Sequence, residues 1–114
     1  MKLPNPDLLI VEQEKIADYL LNPTHRHGVS KARFFGEFGF QKENWETLAD
    51  ALGTHGRDHE IIRTRETGFG PRYEVEGEIH APDGRRPQIR TIWQFDREQI
   101  APRLITAYPS KRRL

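Results

Sequence analysis

The hydrophobic period changes once along this 114-residue chain, between residues 56 and 59. Before that point apolar residues recur at helical spacing. Trp45, Leu48, Ala49 and Leu52 fall at i, i+3, i+4 and i+7, the stripe that an amphipathic helix buries. After it the period is two, with Tyr73, Val75 and Ile79 on one side of a segment and Glu74, Glu76 and Glu78 on the other. A helical block followed by a block of strands predicts an α+β fold, with N-terminal helices packed on one face of a small, mostly antiparallel three- to four-stranded sheet. The expected organisation is one domain over residues 1–114: a helical half over about 8–56, a sheet half over about 59–109 and a short basic tail at 110–114.

Local signals set the expected elements. Pro4 and Pro6 give an extended entry, and Leu8 to Val11 is an edge strand or the lead-in to a helix. Glu12 to Leu21 reads as helix, with Ile16 and Leu20 on one face, ended by Asn22-Pro23. Ser30 suits the N-cap of a helix over Lys31 to Phe38, closed by Gly39. The clearest helix spans Lys42 to Leu52, stopped by Gly53 or Gly56. Strands follow at Glu60 to Arg65, Arg72 to His80, Gln88 to Phe95 and Arg103 to Tyr108, with turns at Gly68–Pro71 and Pro82–Arg85. Gly77 marks a bulge or a close approach. In the third strand Ile89, Thr91, Trp93 and Phe95 alternate with Arg90, Ile92 and Gln94, so alternation alone does not say which set faces the helices. The last strand has the same ambiguity, with Leu104, Thr106 and Tyr108 against Arg103, Ile105 and Ala107.

Charge and composition narrow the function. Eighteen Lys and Arg against 17 Asp and Glu leave a net charge of +1, so any positive field must be local. The absence of cysteine excludes disulfides, thiol chemistry and cysteine-based zinc sites. No apolar run is long enough to span a bilayer, and residues 1–6 lack the apolar core of a signal peptide, so the expected location is the cytoplasm, with no membrane role.

The basic residues concentrate in His25-Arg26-His27-Gly28-Val29-Ser30-Lys31-Ala32-Arg33. A helix start offers unpaired N–H groups, and cations placed there are unfavourable unless an anion or an acidic partner joins them. Ser30, Lys31, Arg33 and, from the last strand, Arg103 are the candidate phosphate ligands. His25 and His27 are suited to proton transfer near neutral pH. Arg90, Thr106 and Tyr108 lie on the last two strands. Together His25 or His27, Lys31, Arg90, Thr106 and Tyr108 would supply the base, the acid and the cations that attack by a 2′-hydroxyl on its phosphodiester needs, without metal. The plainer alternative makes the loop solvated surface, pairs Arg90 with a strand glutamate such as Glu74, and buries Trp93 and Tyr108 in the core. His25 and His27 with His55 or His59 have the ring nitrogens to bind zinc, but no Asp or Glu falls into a recognised spacing with them. Glu74, Glu76 and Glu78 read as a solvated face with cross-strand ion pairs rather than a carboxylate site.

Several stretches resemble a small bacterial domain family of unknown function: Lys2-Leu3-Pro4-Asn5, Lys31-Ala32-Arg33-Phe34-Phe35, Trp45 to Leu52, Thr67-Gly68-Phe69-Gly70, Tyr73-Glu74-Val75, Pro82-Asp83-Gly84-Arg85, Arg90-Thr91-Ile92-Trp93 and Pro102 to Pro109. The resemblance covers nearly the whole chain and implies no activity. A more distant resemblance is to the small metal-free ribonuclease toxins that include barnase and EndoU-like domains. It is carried by helices before a small sheet and by the late Thr106-Ala107-Tyr108-Pro109. That resemblance implies a site of His25 or His27, Lys31, Arg90, Thr106 and Tyr108.

Two functional classes fit these residues. One is a metal-independent RNA endonuclease, the toxin half of a pair with a small cognate protein. The other is a non-catalytic interaction or accessory domain. Neither calls for a cofactor or metal, and a monomer or small homo-oligomer is expected.

Overall fold

The computed structural model describes residues 1–26 and 28–110. Helices precede a four-stranded antiparallel meander of order β1-β2-β3-β4: β1 (Ile61–Thr67), β2 (Gly70–Glu78), β3 (Gln88–Gln94) and β4 (Arg103–Pro109). This is the expected α+β arrangement, with helices packed against the sheet. The helices are α1 (Gln13–Lys15), which runs into a π-helical turn at Ile16–Leu20, then α2 (Val29–Glu37) and α3 (Trp45–Asp58). Their apolar faces meet the sheet in one core that includes Ile16, Leu20, Phe35, Leu48 and Leu52 from the helices and Val75, Ile89, Trp93, Leu104 and Ala107 from the strands.

Trp93 is fully buried, so β3 turns Ile89, Thr91 and Trp93 inward and Arg90, Ile92 and Gln94 outward. Gly56 lies against the Trp93 ring: a Cβ there would sit 2.6 Å from Cζ2. This contact explains why α3 continues through Gly53 and Gly56 to Asp58, instead of stopping at either as expected. Gly56 is a packing surface within the helix, and the buried stripe continues through Gly53 and His55. The expected C-terminus of α2 holds. Gly39 has φ +102, and the Phe40 N–H reaches the Phe35 carbonyl at 3.2 Å, the bond that closes a helix with a left-handed residue. Its N-cap is Gly28, not Ser30, which falls inside the first turn. Residue 28 abuts the Tyr19 carbonyl and has no room for a Cβ.

The N-terminal entry is not wholly extended: Asn5 has φ +48 and Pro6–Leu8 form a 3-10 turn. Ile10 then makes an isolated parallel bridge to Arg103, with Ile10 N–H to Pro102 O at 2.8 Å and Leu104 N–H to Ile10 O at 3.0 Å. Gly77 marks a close approach, its α-carbon lying under the His59 ring. The last strand follows neither alternating set. A bulge between Leu104 and Thr106, opposite Trp93 and Ile92, resets the phase, so that both Leu104 and Ala107 face the core.

The Gly56 contact gives a direct stability test. Gly56→Ala places a methyl in the Trp93 ring and is expected to lower unfolding free energy by about 1–3 kcal/mol. Gly36→Ala, with nothing within 4 Å of its Cβ position, is expected to raise it by about 0.5–1 kcal/mol. Urea unfolding of both variants measures the contrast.

Candidate functional site

An open groove of about 590 Å³ lies along β4 and is lined by Glu14, Lys15, Asp18, Tyr19, His25, Ile105 and Thr106. Its walls come from the π-helical turn, the loop before α2 and the β4 bulge. In the turn, the Leu21 N–H bonds to the Ile16 carbonyl at 2.8 Å, five residues back. Tyr19, in that turn, shares a hydrogen bond of 3.2 Å between its hydroxyl and Thr106 Oγ1. The loop is held by an Asx turn, in which Asn22 Oδ1 accepts from the Thr24 N–H at 3.0 Å and from its hydroxyl at 2.8 Å. The His25 carbonyl accepts from the Gly28 and Val29 N–H groups at 3.1 and 3.0 Å, tying the loop to the start of α2. The His25 ring meets the Tyr19 ring edge-on, with centroids 5.0 Å apart.

Two cations flank the phenol. Lys15 Nζ lies 5.3 Å and Lys31 Nζ 5.4 Å from the Tyr19 ring centroid. Partial burial pushes the phenol pKa up. The hydrogen bonds to Thr106 and Lys31 and the charges of Lys31 and Lys15 outweigh that, so Tyr19 ionises below the ordinary tyrosine value. The groove therefore joins an imidazole, an acidified phenol, a hydroxyl and two ammonium groups, with the Glu14 and Asp18 carboxylates also in its lining.

Of the residues singled out in sequence, His25, Lys31 and Thr106 come together around Tyr19. Tyr108 and Arg90 are register partners on the outer face, beside the Ile92–Thr106 pair. Arg90 is not open to an anion: Nη1 lies 3.1 Å from Glu74 Oε1 and Nη2 lies 3.1 Å from Glu76 Oε1. Burial would lower its pKa, but the hydrogen bond and charge of Glu76, with Tyr108, hold the guanidinium charged. Its Nε is buried without a hydrogen-bond partner. Glu74 and Glu76 are thus cross-strand ion-paired as expected, but at 8% and 9% exposure they are not a solvated face. Arg103 pairs with Asp96 at 3.3 Å. Ser30 and Arg33 are exposed on α2, and Arg33 lines a separate hollow with Leu21, Pro23 and Phe40. His27 lies outside the described residues. Sequence reasoning missed Tyr19, whose i, i+4 spacing from Lys15 on one helical face was the available signal.

His55 and His59 serve structure. His55 Nε2 lies 3.1 Å from the Gly77 carbonyl and Nδ1 3.1 Å from Thr91 Oγ1, which also accepts from Trp93 Nε1 at 2.8 Å. The carbonyl requires a proton on Nε2, so Nδ1 accepts from Thr91 and the ring is neutral. Burial, then the nearby His59, lowers the His55 pKa to about 4. His59 Nε2 bonds to the Glu78 carbonyl at 2.9 Å. Among the described residues no three His, Asp or Glu side chains converge on one metal position, and no helix is long and apolar enough to cross a membrane.

A helical layer on an antiparallel meander, with a groove along its last strand that carries charged and hydroxyl groups, defines a small α+β domain. The chain belongs to the DUF6883 family, a domain of unknown function, which matches residues 2–111. No curated protein matches the sequence. Its fold is similar to that of a chain in the contact-dependent growth inhibition toxin–immunity protein complex from Klebsiella pneumoniae 342. The identity is 14% and the TM-score 0.73, over 93% of this chain and 97% of that one.

Two titrations test this geometry. Absorbance titration of tyrosinate should show one phenol ionising below pH 10.0, a step that Tyr19→Phe removes and Thr106→Val moves upward. His55 has a folded pKa of about 4 against an ordinary 6.5. Between those values the unfolded chain binds more protons, so stability falls as the pH drops through this window and levels off below it. The full shift corresponds to about 3 kcal/mol. Urea midpoints across the window should show this loss, and His55→Gln should flatten it.

Proposed function

We propose that this domain is a metal-independent RNA endonuclease of the toxin type, with its site in the β4 groove. The observation that carries this reading is the 3.2 Å hydrogen bond between the Tyr19 and Thr106 hydroxyls, with the Tyr19 phenol acidified by Thr106 and two lysines and flanked by His25 in a groove open to a ligand. The fold shared with a chain of a toxin–immunity protein complex supports the same assignment.

In the proposed reaction a base takes the 2′-hydroxyl proton and the 2′ oxygen attacks phosphorus. The bond to the 5′ oxygen breaks, and an acid returns a proton to that oxygen. The products are a 2′,3′-cyclic phosphate and a 5′-hydroxyl. His25 and the Tyr19 phenol fill the acid and base roles, with Thr106 holding the phenol. Lys15 and Lys31 offset the charge that develops on phosphorus. Arg90, neutralised by Glu74 and Glu76, supports the β3–β4 surface and takes no direct part. A small cognate protein is the expected inhibitor.

A second reading, a partner-docking domain, draws on Leu8, Ile10 and Ile100. All three are exposed and lie near one another, Ile10 bridging to Arg103 and Asn5 Nδ2 donating to the Ile100 carbonyl at 2.8 Å.

The test is RNA cleavage by purified protein in excess EDTA. The wild type should yield cyclic-phosphate ends. His25→Ala and Tyr19→Phe should each lose about 100-fold or more in rate while keeping the wild-type melting temperature. Absence of cleavage across varied RNAs by folded protein would reject the nuclease and leave the docking domain.

A further inference from the structure

The outer face of the sheet carries a register row that the nuclease reading does not use. Arg65 on β1 pairs with Arg72 on β2, Arg72 with Gln94 on β3, and Gln94 with Arg103 on β4. Like charges directly opposite on neighbouring strands are destabilising, yet Arg65 faces Arg72. Among the described residues neither forms an ion pair with a carboxylate. Arg103 is tempered by Asp96 at 3.3 Å.

Arg72 is moreover held in place by a buried residue. Gln94 is only 3% exposed. Its Oε1 accepts from Arg72 Nε at 3.1 Å. Its Nε2 donates to the Gly70 carbonyl at 3.2 Å and to Thr67 Oγ1 and the Pro71 carbonyl at 3.4 Å. These contacts fix the amide orientation, and the amide in turn fixes the guanidinium. Among the described residues only Nε is engaged, which leaves both terminal nitrogens of Arg72 for a ligand, in the fork geometry that suits phosphate oxygens. Three strand spacings separate the ends of the row, about 14 Å, more than one phosphate occupies. Just beyond the row, at the tip of the β1–β2 hairpin, Phe69 is 76% exposed. Cations along a surface with an exposed aromatic ring beside them are the elements that hold single-stranded nucleic acid, the cations on the backbone and the ring on a base. The adjacent row contains Thr106, paired with Ile92, so a strand laid on the arginines leads to the β4 groove.

We propose that Arg65, Arg72 and Arg103, with Phe69 at the hairpin tip, form a platform that binds the backbone of single-stranded RNA and presents it to the β4 groove. The polymer's identity as RNA rests on the nuclease reading; the anion site rests on the row itself.

The experiment is fluorescence anisotropy with a labelled 2′-O-methyl oligoribonucleotide of roughly ten nucleotides, within the usual site size. This probe has no free 2′-hydroxyl and binds without being cleaved. The wild type should bind it. Arg65→Gln and Arg72→Gln should each weaken binding by about tenfold at low salt and reduce the slope of log K against log salt by about 0.7 per arginine. Phe69→Ala should weaken binding by about tenfold without changing the slope. Arg57→Gln, which removes the same charge from exposed α3, should bind as the wild type does. Loss of binding in the row variants would support the platform even if the wild type cleaves no RNA. Cleavage by a wild type whose row variants still bind normally would overturn the platform and leave the nuclease. A wild type that does not bind the probe overturns the platform. So does displacement of the probe by polyglutamate with Phe69→Ala silent, which would make the row a surface for an acidic protein.

Discussion

Trp93 is the contact on which the rest of the structure depends. Its ring fills the space that Gly56 leaves bare, which brings α3 onto the centre of the sheet. Its indole N–H donates to Thr91, Thr91 to His55, and His55 to the Gly77 carbonyl on β2. One side chain thus joins α3, β2 and β3 through apolar contact and a fully satisfied polar chain. Such a chain favours one register, because a slip of one residue on β3 would turn Trp93 and Thr91 outward and leave His55 buried without a partner. With this centre fixed, β4 can carry a bulge and α1 can widen into a π-turn without loss of the core.

The outer face works on a different principle. Glu74 and Glu76 are buried under the side chains around them, and Arg90 bridges them, with Ser110 also bonded to Glu76. A buried ion pair gives modest net stability, but removing one partner strands the other's charge. Loss of Arg90 would leave two carboxylates close together and poorly solvated. An activity defect in an Arg90 variant would therefore report the integrity of the face, not chemistry at phosphorus. The Tyr19 and Thr106 hydroxyls lie clear of this network, and changes there report on the groove itself.

Much of the fold was legible because it follows from periodicity. The stripe Trp45, Leu48, Ala49, Leu52 gave α3, and the alternation from Tyr73 onward gave the hairpin of β2 and β3. The errors came where tertiary packing overrode a local rule. Gly53 and Gly56 resemble helix stops, but the bare Gly56 serves a contact with Trp93 that no local window contains. Ser30 is a good cap by type, but Gly28 takes the position because residue 28 must fit under the Tyr19 carbonyl. The β4 bulge left no mark in the alternation, so neither of its two sets faced the core intact. At the candidate site, His25, Lys31 and Thr106 were visible as residue types, and only the fold could show that they meet. Arg90 looked equally suited to an anion or to Glu74. Burial decides between these, since β2 brings Glu74 and Glu76 within hydrogen-bond distance.

The two layers of the domain therefore divide the work. The face toward α3 is committed to packing, and His55 is spent there as a neutral hydrogen-bond partner. Groups still able to act on a ligand are displaced to the β4 edge and the outer face, where irregular backbone is tolerated. The π-turn at Ile16–Leu20 and the bulge at Leu104–Thr106 are both departures from regular geometry, and Tyr19 and Thr106 are what they bring together. A regular helix beside a regular strand would repeat its side chains along one line. Two irregular segments instead converge on one point, which is what a site for a single reacting group requires.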